Sequence, residues 1–341
     1  MYKIAVLEGD YSGPEMMEAG LAVLKAATQG TDFQYQTTTY PFGGKGIDQV
    51  GDPLPQVTID GCKAADAVLL SAIGGPKYEG AERTPEAGLL GIREAWGLFA
   101  NLRPIHVTKA LGNLSPVKEV AGVDFVIVRE LTSGIYFGWP RVEGTSEAHD
   151  TATYTAPEVE RILRVGFKMA QKRDRANVLA PARLWLALTK QVAPDYPDVT
   201  VDYSYVDAAA MRIISHPHDF DVIITANLFG DILSDEAAVL PGSLGVIPSA
   251  SLGISGPNLY EPIHGSAPDL VGQNKVNPLS MINSITWMLR QSFDRDDIAD
   301  QIDSAVQRVL EAGTMTADLG GVASTTDVTN AIVKELEKEG A

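Results

Sequence analysis

Apolar positions along the chain follow two alternating rhythms. Short continuous runs rich in β-branched residues, Lys3–Leu7, Ala67–Ile73, Val123–Arg129, Thr200–Tyr205 and Asp221–Thr225, have the pattern of buried strands. Stretches with apolar residues at helical spacing lie among them: Glu15–Ala27, Glu86–Phe99, Pro157–Lys172, Arg183–Ala193, Asp231–Leu240, Leu279–Ser292 and Ile298–Ala312. The helix after Thr155-Ala156 opens on Pro157 with Glu158 and Glu160 behind it, acids that suit the positive end of a helix dipole. Strand and helix in alternation predict an α/β fold with a mainly parallel sheet. No internal repeat or low-complexity segment interrupts the pattern.

The common phosphate-binding signatures are missing. No Gly-x-Gly-x-x-Gly of the Rossmann type joins a strand to a helix, and Lys45, between Gly44 and Gly46, is not a P-loop lysine. The most informative stretch is Asn227–Glu236, NLFGDILSDE, directly after the strand Asp221–Thr225. That places it at the carboxyl end of a strand, where open α/β sheets bind ligands. Asp231 and Asp235 are one helical turn apart, so their carboxylates share a face and repel unless a hard divalent cation such as Mg²⁺ or Mn²⁺ sits between them. The other reading is a pair of acids near a helix N-terminus, favoured by the dipole. Asp207 starts a helical run after Thr200–Tyr205 and by itself reads as a helix cap. Arg93, Arg103 and Arg129 form a second set. If they converge, their guanidinium forks suit a dicarboxylate, and if they do not, they are surface ion pairs. A third region, Leu259–Asp269, combines His264 with small residues that allow close backbone approach to a ligand. There Asp269 can accept both hydroxyls of a ribose, or the stretch is an ordinary surface loop.

Composition narrows the classes. The chain has 341 residues, 45% hydrophobic and 21% charged, which suits about two globular domains and excludes a disordered or fibrous chain. Its net charge of −17 disfavours nucleic acid and anionic membrane surfaces as partners. The single cysteine, Cys62, excludes an internal disulfide or a multi-thiolate metal site. With no secretory pattern at Met1–Leu7 and no apolar run long enough to span a bilayer, the expectation is a soluble cytoplasmic protein.

Taken together, five stretches resemble the β-decarboxylating dehydrogenases of the isocitrate and isopropylmalate type: Leu98–Pro104 (LFANLRP), Val128–Gly138 (VRELTSGIYFG), Asn227–Glu236, Pro241–Leu252 (PGSLGVIPSASL) and Tyr260–Asp269 (YEPIHGSAPD). The resemblance covers nearly the whole chain. It implies a two-domain fold, with a discontinuous first domain of 1–98 and 250–341 and a second of 99–249. It also implies an active cleft between the domains and an obligate homodimer, with an arm of about 134–155 pairing across the dimer. Arg93, Arg103 and Arg129 match the arginines that hold the substrate, and Tyr136 matches the tyrosine that works in protonation. Asp231 and Asp235, with Asp207 of a second copy, match the ligands of Mg²⁺ or Mn²⁺. Gly74, Gly75, Glu86, His264, Gly265, Ser266, Ala267, Asp269 and Asn277 match cofactor positions, and Asp269 implies NAD over NADP. Leu89 and Leu90, with Val178, would wall an alkyl pocket in which an extra carboxylate would lie without a partner, which favours 3-isopropylmalate over isocitrate. The implied reaction is an NAD-dependent oxidative decarboxylation in leucine biosynthesis.

The sequence departs from the family pattern in three places. Tyr11 stands where the opening loop usually has glycine. Arg175, in Asp174-Arg175-Ala176-Asn177-Val178, stands where the family has a catalytic lysine, and arginine stays protonated. The chain also lacks about one strand's worth of residues between the helix ending near Lys172 and that segment. The expectation is therefore that the end of Pro157–Lys172 is extended or that the local sheet is rearranged. Two alternatives follow: a relative acting on malate, tartrate or another 3-substituted malate, and a weakened paralogue that still binds metal and dicarboxylate.

Overall fold

The structure, a computed structural model, describes residues 1–173, 175–254 and 256–339. In chain order its strands and helices are β1 (Tyr2–Leu7), α1 (Gly13–Thr28), β2 (Tyr35–Thr39), α2 (Gly43–Val50), α3 (Gln56–Lys63), β3 (Ala67–Leu70), α4 (Pro85–Ala95), β4 (Leu98–His106), α5 (Lys109–Gly112), β5 (Asp124–Glu130), α6 (Ala156–Ala170), β6 (Arg175–Leu179), α7 (Arg183–Val192), β7 (Thr200–Tyr203), α8 (Val206–Ser215), β8 (Val222–Thr225), α9 (Asn227–Ala237), β9 (Pro248–Gly253), β10 (Asn258–Pro262), α10 (Leu279–Phe293), α11 (Asp296–Glu311) and α12 (Thr325–Glu339). They form two compact units, Met1–Gly97 with Gly242–Ala341, and Leu98–Pro241.

In the first unit the strands run β2-β1-β3-β10-β9, parallel except for the β10–β9 pair. The core strands β1 and β3 are buried on both faces over Ile4–Leu7 and Ala67–Leu70, which is why they read as unbroken apolar runs. Helix α10 covers β9 and β10 and is buried around most of its circumference, with α1 and α11 packed against it. In the second unit the order is β4-β5-β8-β6-β7, with only β4 antiparallel to its neighbour. Helix α6 packs on β5 and β8 through Val159, Ile162, Leu163, Gly166 and Phe167, an i, i+3, i+4, i+7, i+8 stripe. At its start the Glu158 carboxylate accepts from both the backbone N–H and the hydroxyl of Thr155, each at 2.7 Å. The α/β class and the mainly parallel strands are as the periodicity predicts.

Several boundaries differ from the expected ones. Helix α4 stops at Ala95, and Leu98-Phe99 begin β4 instead of continuing the helix. The helix expected from Asp231 starts at Asn227. The expectation of a disturbed sheet near Lys172 is wrong. Helix α6 runs unbroken to Ala170, and Lys172 and Arg173 close a tight turn onto Met169 and Ala170. The strand that looked absent is Arg175–Leu179 itself, inserted between β7 and β8 in register. Asp174 lies outside the described residues. Recruiting this segment satisfies the backbone groups of both neighbours, which outweighs any preference of the segment for a loop.

Phe167 is fully buried and stacks on Tyr196 with ring centroids 5.4 Å apart. Phe167→Ala is expected to cost about 3–5 kcal/mol in chemical denaturation. A loss below about 1 kcal/mol would show that α6 is not seated as described.

Candidate active site

In the second unit, β5 ends in Arg129-Glu130, and Arg129 lies in register with Thr225, the last residue of β8. Both strands therefore present their carboxyl ends at the same edge. Arg129 is only 7% exposed, and a guanidinium so buried needs acceptors. Its Nε donates to Asn227 Oδ1 at 3.0 Å and its Nη1 to Asp231 Oδ1 at 2.5 Å. The other oxygen of Asp231 accepts the Tyr136 hydroxyl at 2.9 Å. Burial raises the Tyr136 phenol above its ordinary pKa, and donation to Asp231 raises it further.

Asp235, one turn along α9, is exposed. Because α9 begins at Asn227, neither acid lies in its first turn. The dipole reading of the pair therefore lapses, since that effect fades within one turn. Asp207 is the second residue of α8, behind Tyr205 at the cap position, so it is not the cap either. It is exposed, and its carboxylate accepts only the adjacent Ala208 N–H at 2.8 Å among the bonds described. Among the described residues no three His, Cys, Asp or Glu side chains form a metal-binding group. Asp231 and Asp235 offer two carboxylates one turn apart, hard oxygen donors of a kind that fits Mg²⁺ or Mn²⁺.

Arg103 sits on β4, two residues from Asn101, to whose Oδ1 its Nε donates at 2.7 Å. Asn101 is directly opposite Arg129 in the β4–β5 ladder. Opposed residues, and residues two apart on one strand, point to the same face, so Arg103 and Arg129 share it. The turn after β5 is held by Glu130, whose fully buried carboxylate accepts Thr132 N–H at 3.0 Å, Ser133 N–H at 2.8 Å and Arg161 Nη2 at 3.2 Å. Burial still pushes the Glu130 carboxyl above its usual range. Gly134, at φ 83°, continues the turn, and a Cβ there would meet the Tyr154 hydroxyl at 2.2 Å. The chain is thereby reversed, and Tyr136 returns to Asp231.

Arg175 and Val178 do not join this cluster. Arg175 is the first residue of β6, at the amino end of a strand parallel to β8, and its Nη1 donates to the Asp219 carbonyl at 2.7 Å. Val178 is wholly buried inside the sheet and cannot wall a pocket. Both corrections have one cause: the segment that the resemblance placed after a strand is the strand.

The first unit carries the remaining residues. Glu86, Leu89, Leu90 and Arg93 lie along one side of α4, with Leu90 exposed and Leu89 half-buried. Arg93 pairs with the buried Glu261 of β10 at 3.4 Å. The Glu86 carboxylate rests on Gly74, whose φ of 86° and lack of a Cβ permit that approach. Tyr11 keeps a left-handed φ of 51°. Its ring packs on Gly75, and its hydroxyl accepts Lys77 N–H at 3.1 Å, contacts that hold the loop at this angle.

Beyond β10, His264, Ala267 and Asn277 line a hollow of about 250 Å³ closed by Asp318, to which Asn277 Nδ2 donates at 2.9 Å. His264 Nδ1 lies 2.9 Å from the Gly265 carbonyl, so Nδ1 carries the proton. Its Nε2 is then a buried acceptor with no protein partner. Burial lowers the His264 pKa, which keeps the ring neutral. Ser266 ties the loop down through its hydroxyl to the Gly74 carbonyl at 2.7 Å, while Gly265 and Asp269 stay exposed. An unfilled acceptor beside a hollow of this size fits a nucleotide base. Sequence reasoning missed Asn101, Glu130, Tyr154, Asn227, Glu261 and Asp318. Four of these, Asn101, Glu130, Asn227 and Glu261, lie inside the quoted motifs.

Residues 3–332 match the family model described as isocitrate/isopropylmalate dehydrogenase. The chain belongs to this family. It is 52% identical to the 3-isopropylmalate dehydrogenase of Listeria monocytogenes serotype 4b over 98% of this chain and 99% of the relative. It is likewise 52% identical to the 3-isopropylmalate dehydrogenase of Streptococcus thermophilus, with the same coverage. Among solved structures, the isocitrate dehydrogenase of Methylococcus capsulatus is similar, with a TM-score of 0.86 and 31% identity over 99% of this chain and 100% of that one.

The environment of Tyr136 generates a prediction. An absorbance titration of the native protein minus Tyr136→Phe is expected to place the phenol above pH 10, and Asp231→Asn to move it back down. The folded chain holds the proton more tightly than the unfolded one, so stability falls as pH rises past 10. A Tyr136 that titrates at or below 10 would contradict the hydrogen bond.

Proposed function

We propose that the chain is an NAD-dependent dehydrogenase that converts 3-isopropylmalate to 4-methyl-2-oxopentanoate and CO₂, the oxidative decarboxylation used in leucine biosynthesis. The observation that carries this reading is the 52% identity to enzymes named for that substrate, spread over 98% of the chain, against 31% to the isocitrate enzyme. The chemistry of α4 supports it. Leu89 and Leu90, one turn before Arg93, offer alkyl surface where a third carboxylate would need a cation.

The roles follow from the charges. Arg103 and Arg129, on one face of the second unit's sheet, hold the substrate's carboxylates in two-pronged geometry. A substrate carboxylate would compete with Asp231 for Arg129, and Asp231 would ligate a cation together with Asp235. A bound divalent cation supplies electrophilic polarisation of the α-oxygen, and NAD⁺ supplies the hydride acceptor. Tyr136, kept protonated by its surroundings, donates the proton that replaces the departing carboxylate. His264 and Asn277 hold the base of the nucleotide, and Asp269 takes the ribose hydroxyls and repels a 2′-phosphate. Asp207 is exposed and without a metal partner in its own chain, which supports a homodimer in which a second copy completes each cation site. The single buried thiol, Cys62, suits a reducing cytoplasm.

One observation favours a second reading, a slow enzyme. Arg175, which stands at the family's lysine position and stays protonated, donates to the Asp219 carbonyl at the far end of β6.

NADH absorbance is expected to rise with 3-isopropylmalate and Mg²⁺, more slowly with malate, and not at all with chelator. Faster turnover of malate would overturn the substrate assignment. Arg175→Lys is expected to leave the rate within about twofold, since it alters a bond remote from Asp231. A large gain would place that residue in the site after all. Asp269→Ala is expected to raise the use of NADP relative to NAD by about tenfold, and unchanged coenzyme preference would remove Asp269 from the ribose.

A further inference from the structure

Arg129 and Tyr136 reach Asp231 from different elements, one from the end of a strand and the other from the turn beyond it. Something must fix the two relative to each other. Asn227 contacts Arg129 and the turn that leads to Tyr136. It is the first residue of α9 and is 1% exposed. Its side-chain oxygen accepts Arg129 Nε at 3.0 Å, and its side-chain nitrogen donates to the Ser133 carbonyl at 2.9 Å, in the turn leading to Tyr136. Its own backbone N–H donates to the Tyr154 hydroxyl at 3.1 Å, which fixes where the amide stands.

We propose that Asn227 is a positioning residue that sets the substrate-holding guanidinium and the proton-donating tyrosine in a single shared geometry. This rests on the reading of Arg129 and Tyr136 given above. Only a side chain with an acceptor and a donor on one rigid plane can do both tasks. Aspartate keeps the acceptor but turns a second oxygen on the Ser133 carbonyl, and leucine offers neither group. With its Nε held, Arg129 cannot swing about its long axis, so the other edge of the guanidinium faces Asp231 now and a carboxylate during catalysis. With the Ser133 carbonyl held, the turn cannot open and carry Tyr136 away.

The test is a pair of double-mutant cycles on the full-length protein, read by steady-state kinetics with 3-isopropylmalate, Mg²⁺ and NAD. Asn227→Ala alone is expected to raise KM and lower kcat, each by about tenfold. In an Arg129→Lys background it should add little to KM while still lowering kcat, and in a Tyr136→Phe background it should add little to kcat while still raising KM. A merely structural asparagine would instead give losses that multiply equally in both backgrounds, and that result overturns the proposal. So does a folded Asn227→Ala within twofold of the native constants. If the alanine variant does not fold, as judged by its melting curve, Asn227→Ser goes through the same cycles. If the native protein itself does not oxidise 3-isopropylmalate, the substrate reading fails separately. Calorimetric binding of the same diacid with Mg²⁺ then decides: Asn227→Ala must weaken it in the native chain and not in Arg129→Lys, and absence of binding to the native chain sinks both.

Discussion

A guanidinium removed from water must find an anion, and in this chain Arg129 finds Asp231. That contact orders the carboxyl edge of the second unit. It compensates one of two acids that would otherwise repel along α9, and it gives Tyr136 an acceptor. It also makes the resting arrangement self-neutralising. A dianion and a divalent cation together can replace both halves of the pair, whereas either alone leaves a charge of its own sign facing it. On the proposed function, the pair would exchange one set of ionic partners for another at this edge.

Much of this was legible in the sequence, for reasons that differ from element to element. The strands buried on both faces, β1, β3, β5 and β8, appear as unbroken apolar runs because no solvent-facing position interrupts them. Edge strand β2, mostly exposed as Tyr-Gln-Thr-Thr-Thr, carried no such signal. Strand β4 was absorbed into the preceding helical pattern, since Leu98-Phe99 continue the apolar spacing of α4. The acids and arginines could be named because their types and spacing imply charge chemistry. Their pairing could not, because Arg129 and Asp231 are brought together by strand register. Asn227, Glu130 and Glu261 lay in plain view inside the motifs. A neutral amide or a carboxylate working through backbone groups has no spacing rule that would single it out.

The opening loop shows the opposite case, in which a substitution that looked disruptive is absorbed. Tyr11 adopts the left-handed angle that glycine takes freely, at a cost of roughly 1–2 kcal/mol. In return its ring covers Gly75 and its hydroxyl accepts a backbone N–H. Asp10 beside it anchors the same region by accepting the backbone N–H groups of Gly44, Lys45 and Gly74. A carboxylate with that many donors holds the loop in place whichever side chain follows it.

The tight turn between α6 and β6 has a wider implication. A parallel strand has two chemically unequal rims, one bearing loops that meet ligands and one that only joins elements. With Arg175–Leu179 drawn into the strand, Arg175 stands at the second rim and Ala176–Leu179 lie in the interior. Where a strand begins therefore decides which rim a side chain serves, and an inventory of matched letters does not record that choice.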